Sequence, residues 1–260
     1  MNGQELRDVL KSGGRVYGTM LRLVTNIRWA SALQGAGFDY VIFDNEHSAY
    51  SRNQISELSW AFGQVGIVPI IRIPIPDAHY VTMALDGGAQ GVFAPYCETV
   101  EQVKEVVGAA KLRPLKGEYL KRALDTGEFP SEESKVRLTR GGERSVVIIG
   151  IESVPALENL DAILEVDGID VIFIGPSDMT TSMGIPGQTD HPRYQDVLGE
   201  VLAKCKARGV ALAVHMFDTE MTTRWMQEGM QFVLFGMDTG AIVKGYRPDF
   251  ETLRGFGDKL

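Results

Sequence analysis

Three observations predict that the chain folds as a closed (β/α)8 barrel, also called a TIM barrel. Eight short runs rich in Val, Ile, Leu and Phe recur along the 260 residues, and segments with helical spacing follow most of them. Polar residues seldom alternate within the runs, as expected of strands with helices on one face and a barrel interior on the other. The length suits a barrel of about 250 residues, so we expect one domain over residues 1–260.

The predicted elements follow one another in the order strand then helix. The predicted strands are residues 16–20, 40–43, 67–73, 91–94, 146–151, 171–174, 210–214 and 232–235. The predicted helices are residues 53–62, 100–110, 156–164, 194–207 and 219–228, and most have Ser, Thr, Asp or Pro near the start. Eight such units favour a closed barrel over an open doubly wound sheet, whose glycine-rich phosphate-binding turn does not occur in this sequence.

Two segments interrupt this order. Residues 113–144 are rich in charge and contain no strand-like run, so they are interpreted as a helical excursion, a mobile lid or an oligomer contact. After Tyr246, Pro248 leads into a short amphipathic helix that packs either on its own barrel or on that of a neighbour. An exchanged terminal helix would require an oligomer.

Composition excludes several classes of partner. The net charge of −8 and the pI near 5.1 argue against binding of nucleic acid or anionic lipid, which require clustered Lys and Arg. The two cysteines, Cys97 and Cys205, form no paired framework, which favours a reducing compartment. The sequence shows neither a secretion signal nor an apolar run that could span a membrane, so we expect a cytoplasmic protein.

Polar residues that could carry out chemistry follow several of the predicted strands. They are Asp44, Glu46 and His47 after the second strand, Arg72 at the third, Glu152 after the fifth and Asp178 after the sixth. Because the carboxyl ends of the strands of a (β/α)8 barrel meet at one rim, residues distant in sequence can share a pocket there. The sequence therefore predicts an active site at this rim.

Glu152 and Asp178 are the candidate metal ligands. Two carboxylates offer hard oxygen ligands and leave positions free for water and substrate, which suits Mg²⁺ or Mn²⁺, whereas Zn²⁺ would favour more His or Cys. The alternative is that each carboxylate caps the helix that follows it, which Asp178 in G-P-S-D could do.

Arg72 and His47 are the other candidates. Arg72 lies in an apolar run and needs an anionic partner, which is either an internal carboxylate or a bound carboxylate or enolate. His47 is a candidate acid or base whose tautomer Asp44 would fix, and His215 after the seventh strand is a second candidate. None of the eight strands ends in Lys, which argues against a Schiff-base mechanism and for a metal as Lewis acid.

Four sequence blocks resemble the signature motifs of the HpcH/HpaI aldolase family. They are D-Y-V-I-F-D-N-E-H-S from Asp39, R-I-P from Arg72, G-I-E-S from Gly150 and F-I-G-P-S-D-M from Phe173. The resemblance extends to G-M-D-T-G at Gly236 and covers most of the chain. It implies a barrel of the phosphoenolpyruvate/pyruvate type and a metal-dependent class II aldolase, which cleaves 4-hydroxy-2-oxo acids to pyruvate and an aldehyde.

The resemblance also implies a role for individual residues. Glu152 and Asp178 would bind Mg²⁺ or Mn²⁺, with Co²⁺ or Zn²⁺ as further options. Arg72 would hold the keto or enolate oxygen, and His47 with Asp44 would form the acid/base element. The backbone at Gly175 and Ser177 would bind the pyruvate carboxylate, and a neighbouring subunit would contribute Asp86. The family implies a homo-oligomer, a hexamer or a trimer, with exchanged terminal helices.

Two departures from the family pattern bear on the substrate. Gly150 stands where the family usually has Gln, and the usual Pro-x-Gly-x-Arg-Gly segment reads P-L-K-G-E-Y-L-K-R from Pro114. An alternative is therefore another enolate-forming enzyme, such as a decarboxylase, a hydrolase of a pyruvate derivative or an acyl-thioester lyase. A barrel that binds a small carboxylate without catalysis is a second alternative, disfavoured because costly buried polar groups are kept.

Overall fold

The computed structural model describes residues 1–258, and its strands form the predicted barrel. The strands are β1 (Val16–Leu21), β2 (Tyr40–Asp44), β3 (Val68–Arg72), β4 (Gly91–Ala94), β5 (Val146–Gly150), β6 (Val171–Ile174), β7 (Ala211–Met216) and β8 (Phe232–Met237). All neighbouring pairs are parallel, each strand pairs with the next along the chain, and β8 closes the barrel onto β1. The predicted (β/α)8 fold is confirmed, and every predicted strand overlaps an observed one.

Helices lie before the first strand, between consecutive strands and after the last strand. In the first half of the chain they are α1 (Gly3–Lys11), α2 (Trp29–Gln34), α3 (Arg52–Gln64), α4 (Ala78–Asp86), α5 (Val100–Lys111), α6 (Gly117–Thr126) and α7 (Glu132–Gly142). In the second half they are α8 (Val154–Glu158), α9 (Leu160–Ile163), α10 (Pro176–Ser182), α11 (Pro192–Arg208), α12 (Thr219–Glu228) and α13 (Asp238–Gly257). No bounds were predicted for α1, α2, α4 and α10, and α8 and α9 were predicted as one helix.

The apolar side chains separate into two layers, because successive residues of a strand point to opposite faces. One layer fills the barrel, where the Tyr40 ring stacks on Phe232 with 4.1 Å between centroids and Phe93 contacts Phe173. The other layer lies between the strands and the surrounding helices. Leu6 of α1 joins the inner layer, so α1 closes the end of the barrel at which the strands begin.

The loops at the opposite end are fixed by helix caps. The side chains of Ser51, Thr99, Ser153 and Asp218 accept backbone N–H groups at the starts of α3, α5, α8 and α12. Each cap satisfies a donor that the first helical turn would otherwise leave unpaired. The segments that carry the predicted site residues thus leave the strands and enter helices along defined paths.

The charge-rich segment 113–144 is a helical excursion, as one of the three interpretations proposed. Its helices α6 and α7 pack on α5, where the side chains of Leu120 and Leu124 lie against Gly108. The segment leaves α5 and returns to the start of β5.

The C-terminal segment differs from its prediction in where the helix begins. Instead of a short helix after Pro248, α13 runs for 20 residues from Asp238 and continues through Pro248. None of its residues is buried, and Tyr246, Phe250 and Leu253 are each more than half exposed. Among the described residues, no helix combines the length and the apolar character needed to cross a membrane.

Candidate active site

Arg72 and Asp44 form a buried ion pair at the carboxyl ends of β3 and β2. Arg72 Nε donates to Asp44 Oδ1 at 2.9 Å and Nη2 donates to Oδ2 at 2.7 Å, and both side chains are nearly inaccessible. Burial raises the pKa of Asp44, but the hydrogen bonds and charge of Arg72 outweigh that effect and hold it below its ordinary value. Asp44 is thus the internal anionic partner that the sequence required for Arg72.

The same aspartate folds the loop that follows β2. Asp44 Oδ1 accepts the backbone N–H groups of Glu46 at 3.2 Å and of His47 at 3.1 Å. Arg22, which follows β1, donates from Nη2 to the carbonyl of His47 at 2.9 Å. These bonds fix the loop so that the side chains of Glu46 and His47 leave it next to Arg72.

The expected contact between Asp44 and the His47 ring does not occur, because both oxygens of Asp44 are engaged by Arg72 and the loop backbone. The ring lies instead beside Glu46, with 3.7 Å between His47 Nε2 and Glu46 Oε2. Glu46 Oε2 also lies 3.0 Å from Arg72 Nη1. Asp44 is therefore a support for His47 through the backbone, and Glu46 is the carboxylate beside its ring.

Glu152 follows β5 and is buried, with 3% of its surface exposed. Its Oε2 accepts the backbone N–H of Tyr96 at 2.7 Å, and Tyr96 has the left-handed φ of 51° that directs this N–H inward. Within residues 1–258, its Oε1 receives no hydrogen bond. Burial raises the pKa of Glu152 to about 7, only partly offset by the Tyr96 hydrogen bond and the charge of Arg72.

Two glycines make room for the Glu152 carboxylate. A Cβ built on Gly150 would lie 2.8 Å from Glu152 Oε2, and one built on Gly175 would overlap Oε1. Gly150, where the family resemblance leads one to expect Gln, thus lies directly against the carboxylate.

Asp178 and Ser177 lie in the first turn of α10 and are exposed. Burial is the main cause of the raised pKa of Glu152 and of Glu46, and the negative charge of Asp178 adds to both, so Asp178 lies on the same side of the barrel as these carboxylates. Asp178 is not an N-cap, because that position is held by Gly175 without a side-chain bond. The backbone N–H groups of Ser177 and Asp178 have no acceptor in the described part of the chain.

These residues fit a divalent cation. Repulsion among the three carboxylates and the free Oε1 of buried Glu152 would both be relieved by a positive ion. The described residues contain no group of three or more His, Cys, Asp or Glu side chains placed to hold an ion. The protein would thus supply few ligands, here Glu152 and Asp178, and leave the remaining positions to water and substrate.

The other predicted residues take different positions. His215 lies near the end of β7, at the mouth of the barrel, which is the opening at the carboxyl ends of the strands. Its Nε2 lies 2.9 Å from the carbonyl oxygen of Gly236. Asp86 lies at the far end of α4, where it is exposed and pairs with Arg113 at 3.1 Å, so it does not belong to its own chain's site.

Sequence reasoning assigned no role to four residues of the site. Arg22, Glu46, Tyr96 and Asp238 contribute contacts, and Asp238 Oδ2 accepts the N–H groups of Arg22 at 3.0 Å and Leu23 at 2.8 Å. The D-N-E-H motif offered a signal for Glu46, since it stands between two selected residues. The sequence offered no signal for Tyr96, because this residue contributes through its backbone conformation and not through its side chain.

A (β/α)8 barrel whose strand ends bring together an arginine–aspartate pair, a histidine and carboxylates is typical of a barrel enzyme. Residues 22–245 match the model of the HpcH/HpaI aldolase/citrate lyase family. The chain belongs to this family and is an enzyme of the aldolase and lyase type.

Individual relatives agree with this assignment. A 4-hydroxy-2-oxo-heptane-1,7-dioate aldolase from Salmonella heidelberg is 30% identical over 243 residues, 92% of this chain and 90% of the relative. The crystal structure of an HpcH/HpaI aldolase from Desulfitobacterium hafniense DCB-2 is 29% identical, with a TM-score of 0.83 over 96% of each chain. The citrate synthase SbnG is 25% identical, with a TM-score of 0.83 over 97% of this chain and 98% of that one. The family is generally dependent on a divalent metal ion.

Proposed function

We propose that the protein is a divalent-metal-dependent aldolase that cleaves a 4-hydroxy-2-oxo acid to pyruvate and an aldehyde. The observation that supports this most is the meeting of Glu152, Asp178, Arg72 and His47 at one rim, with the free oxygen of Glu152 beside acidic neighbours. The name of the Salmonella relative, an aldolase for a 4-hydroxy-2-oxo acid, agrees with this choice.

Each residue has a distinct task in the proposed reaction. Glu152 and Asp178 would hold Mg²⁺ or Mn²⁺, with Co²⁺ or Zn²⁺ as alternatives, and the bound cation would supply Lewis-acid activation of the 2-oxo acid. The backbone N–H groups at Ser177 and Asp178 are free to bind the substrate carboxylate, next to Gly175. Arg72 Nη1, which faces away from Asp44, is placed to donate to the C2 oxygen.

The proton movements involve His47. It removes the proton of the C4 hydroxyl, directly or through a water molecule that it orients, and the C3–C4 bond then breaks to give the aldehyde. The electron pair of that bond moves into the enolate, whose oxygen Arg72 stabilises. Return of a proton to C3 gives pyruvate. Half of the His47 side chain is exposed, so it can exchange protons with solvent.

A coupled assay for pyruvate tests this proposal with several 4-hydroxy-2-oxo acids. We expect metal-dependent pyruvate release, which Glu152→Gln and Asp178→Asn each reduce by about 100-fold or more. Glu158→Gln, which alters an exposed glutamate six residues from Glu152, is the matched control and keeps full activity. Undiminished metal-dependent cleavage by the Glu152 and Asp178 variants would contradict the assignment of the ligands.

A second candidate is another enolate-forming reaction on the same scaffold, such as a decarboxylase, hydrolase or acyl-thioester lyase reaction. Gly150 favours it, because the side chain that the family usually has there is missing, and so does the likeness to a protein named as a citrate synthase. Absence of pyruvate from every 4-hydroxy-2-oxo acid in the assay would select this candidate.

The proposal extends to assembly and location. We propose a cytoplasmic homo-oligomer, a trimer or hexamer, in which α13 packs on a neighbouring subunit and Asp86 approaches a neighbour's mouth. The exposed apolar side chains of α13 support the exchange, and the exposed carboxylate of Asp86 is available for such a contact.

A further inference from the structure

Glu46 lies next to two side chains that act in the proposed reaction, the proton acceptor His47 and the hydrogen-bond donor Arg72. Its Oε2 lies 3.0 Å from Arg72 Nη1 and 3.7 Å from His47 Nε2. Within residues 1–258 it is the one carboxylate that lies within 4 Å of a side-chain nitrogen of both residues. Its own side chain is 24% exposed, so it lies at the wall of the mouth rather than in the core.

Arg72 is held on two edges by two different carboxylates. Asp44 occupies Nε and Nη2 through short, buried hydrogen bonds, which fix the plane of the guanidinium. Nη1 is left for the mouth, and there Glu46 lies within ion-pair distance. Glu46 thus partly neutralises the nitrogen that would meet the substrate oxygen.

His47 needs such a partner more than Arg72 does. Half of its side chain is exposed, and its backbone is fixed by Asp44 and Arg22, whereas its ring has Glu46 as its nearest charged neighbour. A carboxylate beside Nε2 favours one orientation of an otherwise mobile ring.

We propose that Glu46 is a positioning residue, which holds Arg72 Nη1 and the His47 imidazole in their working places by means of one carboxylate oxygen. This inference rests on the proposed function for its kinetic consequence, but the placement of the His47 ring can be tested without turnover.

The kinetic test uses Glu46→Gln, which keeps the size of the side chain and removes its charge. We expect kcat for pyruvate release to fall by about 10- to 100-fold, because the base is no longer aligned. KM for the oxo acid stays equal or decreases, since Arg72 Nη1 loses a competing anion. Glu46→Asp, which keeps the charge on a shorter side chain, gives an intermediate kcat. Glu57→Gln on α3, where the exposed Glu57 accepts a hydrogen bond from Asn53, is the control and behaves as wild type.

A fall in kcat without a rise in KM distinguishes positioning from a general loss of structure, which would raise KM and lower the midpoint of urea unfolding. A kcat within twofold of wild type, or a lower kcat together with a raised KM and lowered stability, overturns the inference.

A second readout does not depend on turnover. In ¹⁵N-histidine-labelled protein, the imidazole resonances of His47, assigned with His47→Gln, shift in Glu46→Gln and remain unchanged in Glu57→Gln. If the wild-type protein releases no pyruvate at all, the proposed function fails, and this spectrum alone decides the role of Glu46. Unchanged His47 resonances in Glu46→Gln refute it.

Discussion

At the scale of single residues, the buried charged groups at the mouth of the barrel differ in how completely they are paired. The buried guanidinium of Arg72 is stabilised because it donates two hydrogen bonds to Asp44. Glu152, in contrast, accepts one backbone hydrogen bond and has a raised pKa. The charges of Arg72 and Asp44 balance each other without a ligand, whereas the carboxylate of Glu152 has no such partner of opposite charge bonded to it among the residues that the structure describes. This difference separates a residue that supports the site from one that is available to bind a cation.

Gly150 offers the most direct test of that distinction. In Gly150→Ala the new Cβ would meet Glu152 Oε2 at 2.8 Å and backbone atoms of Ala94 and Pro95 at 3.1 Å, so the carboxylate must move. We expect affinity for Mn²⁺, measured by calorimetric titration, to fall about 10-fold, and stability in urea to fall by about 1–3 kcal/mol.

The control for this prediction is Gly199→Ala in the middle of α11, where an added Cβ has no neighbour within 4 Å. It keeps the affinity for Mn²⁺ and gains up to about 1 kcal/mol of helix stability. Wild-type affinity in Gly150→Ala would show that the position of the Glu152 carboxylate does not determine cation binding.

His215 gives the protein a predictable dependence on pH. Burial lowers its pKa to about 4, and the charge of Arg72 adds to this, while the bond to the Gly236 carbonyl opposes it. The unfolded chain, with a pKa near 6.5, therefore takes up the proton more readily, so stability that is complete above this pH is lost on acidification toward pH 4. Between pH 7 and pH 5 we expect the wild-type protein to lose about 2 kcal/mol more than His215→Gln in urea unfolding. Parallel curves for the two proteins would show that burying the imidazole has no such cost.

Sequence reasoning reached some of these residues and missed others for physical reasons. Arg72 was predicted to need an anion because a guanidinium in an apolar run is costly, and Asp44 is that anion. The same reasoning could not assign the carboxylate of Asp44 to Arg72 rather than to His47, since both lie within reach of the same loop. Tyr96 acts through its φ angle and its N–H, which no side-chain pattern reports.

At the scale of elements, all eight strands were predictable because fully buried strands are continuous apolar runs. The helices were less predictable than the strands. For example, α4 and α10 are short and follow prolines or glycines, which are typical of loops. The prediction for α13 was wrong at its start because Pro248 was taken as a helix boundary, whereas the helix continues through it.

The apolar face of α13 leads to a prediction about assembly. Tyr246, Phe250 and Leu253 are spaced four and three residues apart, so they share one side of the helix, and all are more than half exposed. We expect light scattering to give a mass that is a multiple of 28.6 kDa for the wild-type chain and a smaller mass when all three are changed to Ser. Trp60→Ser, which alters another exposed large apolar residue on α3, keeps the wild-type mass. A wild-type monomer would contradict the exchange of α13.

At the scale of the whole molecule, the two ends of the barrel hold charge for different purposes. The end where the strands begin contains a closed cluster: Asp170 pairs with Arg7 at 2.6 Å and Lys111 at 2.7 Å, and it accepts the N–H of Val147 at 2.9 Å. These contacts join α1, α5 and β5 around a carboxylate whose partners are all internal. A cluster of charges whose members are all paired with one another is typical of a structural role.

Asp170→Asn therefore separates stability from catalysis. The substitution leaves Arg7 and Lys111 buried without their carboxylate, and burial already lowers the pKa of Lys111 to about 8 despite Asp170. We expect the free energy of unfolding in urea to fall by about 3–5 kcal/mol, while kcat for pyruvate release from the remaining folded protein is unchanged. The control is Asp125→Asn, which removes an exposed partner of Lys104 and costs less than about 1 kcal/mol. A loss of kcat in Asp170→Asn at full folding would mean that the two ends are coupled, because the cluster contains no group that reaches the mouth.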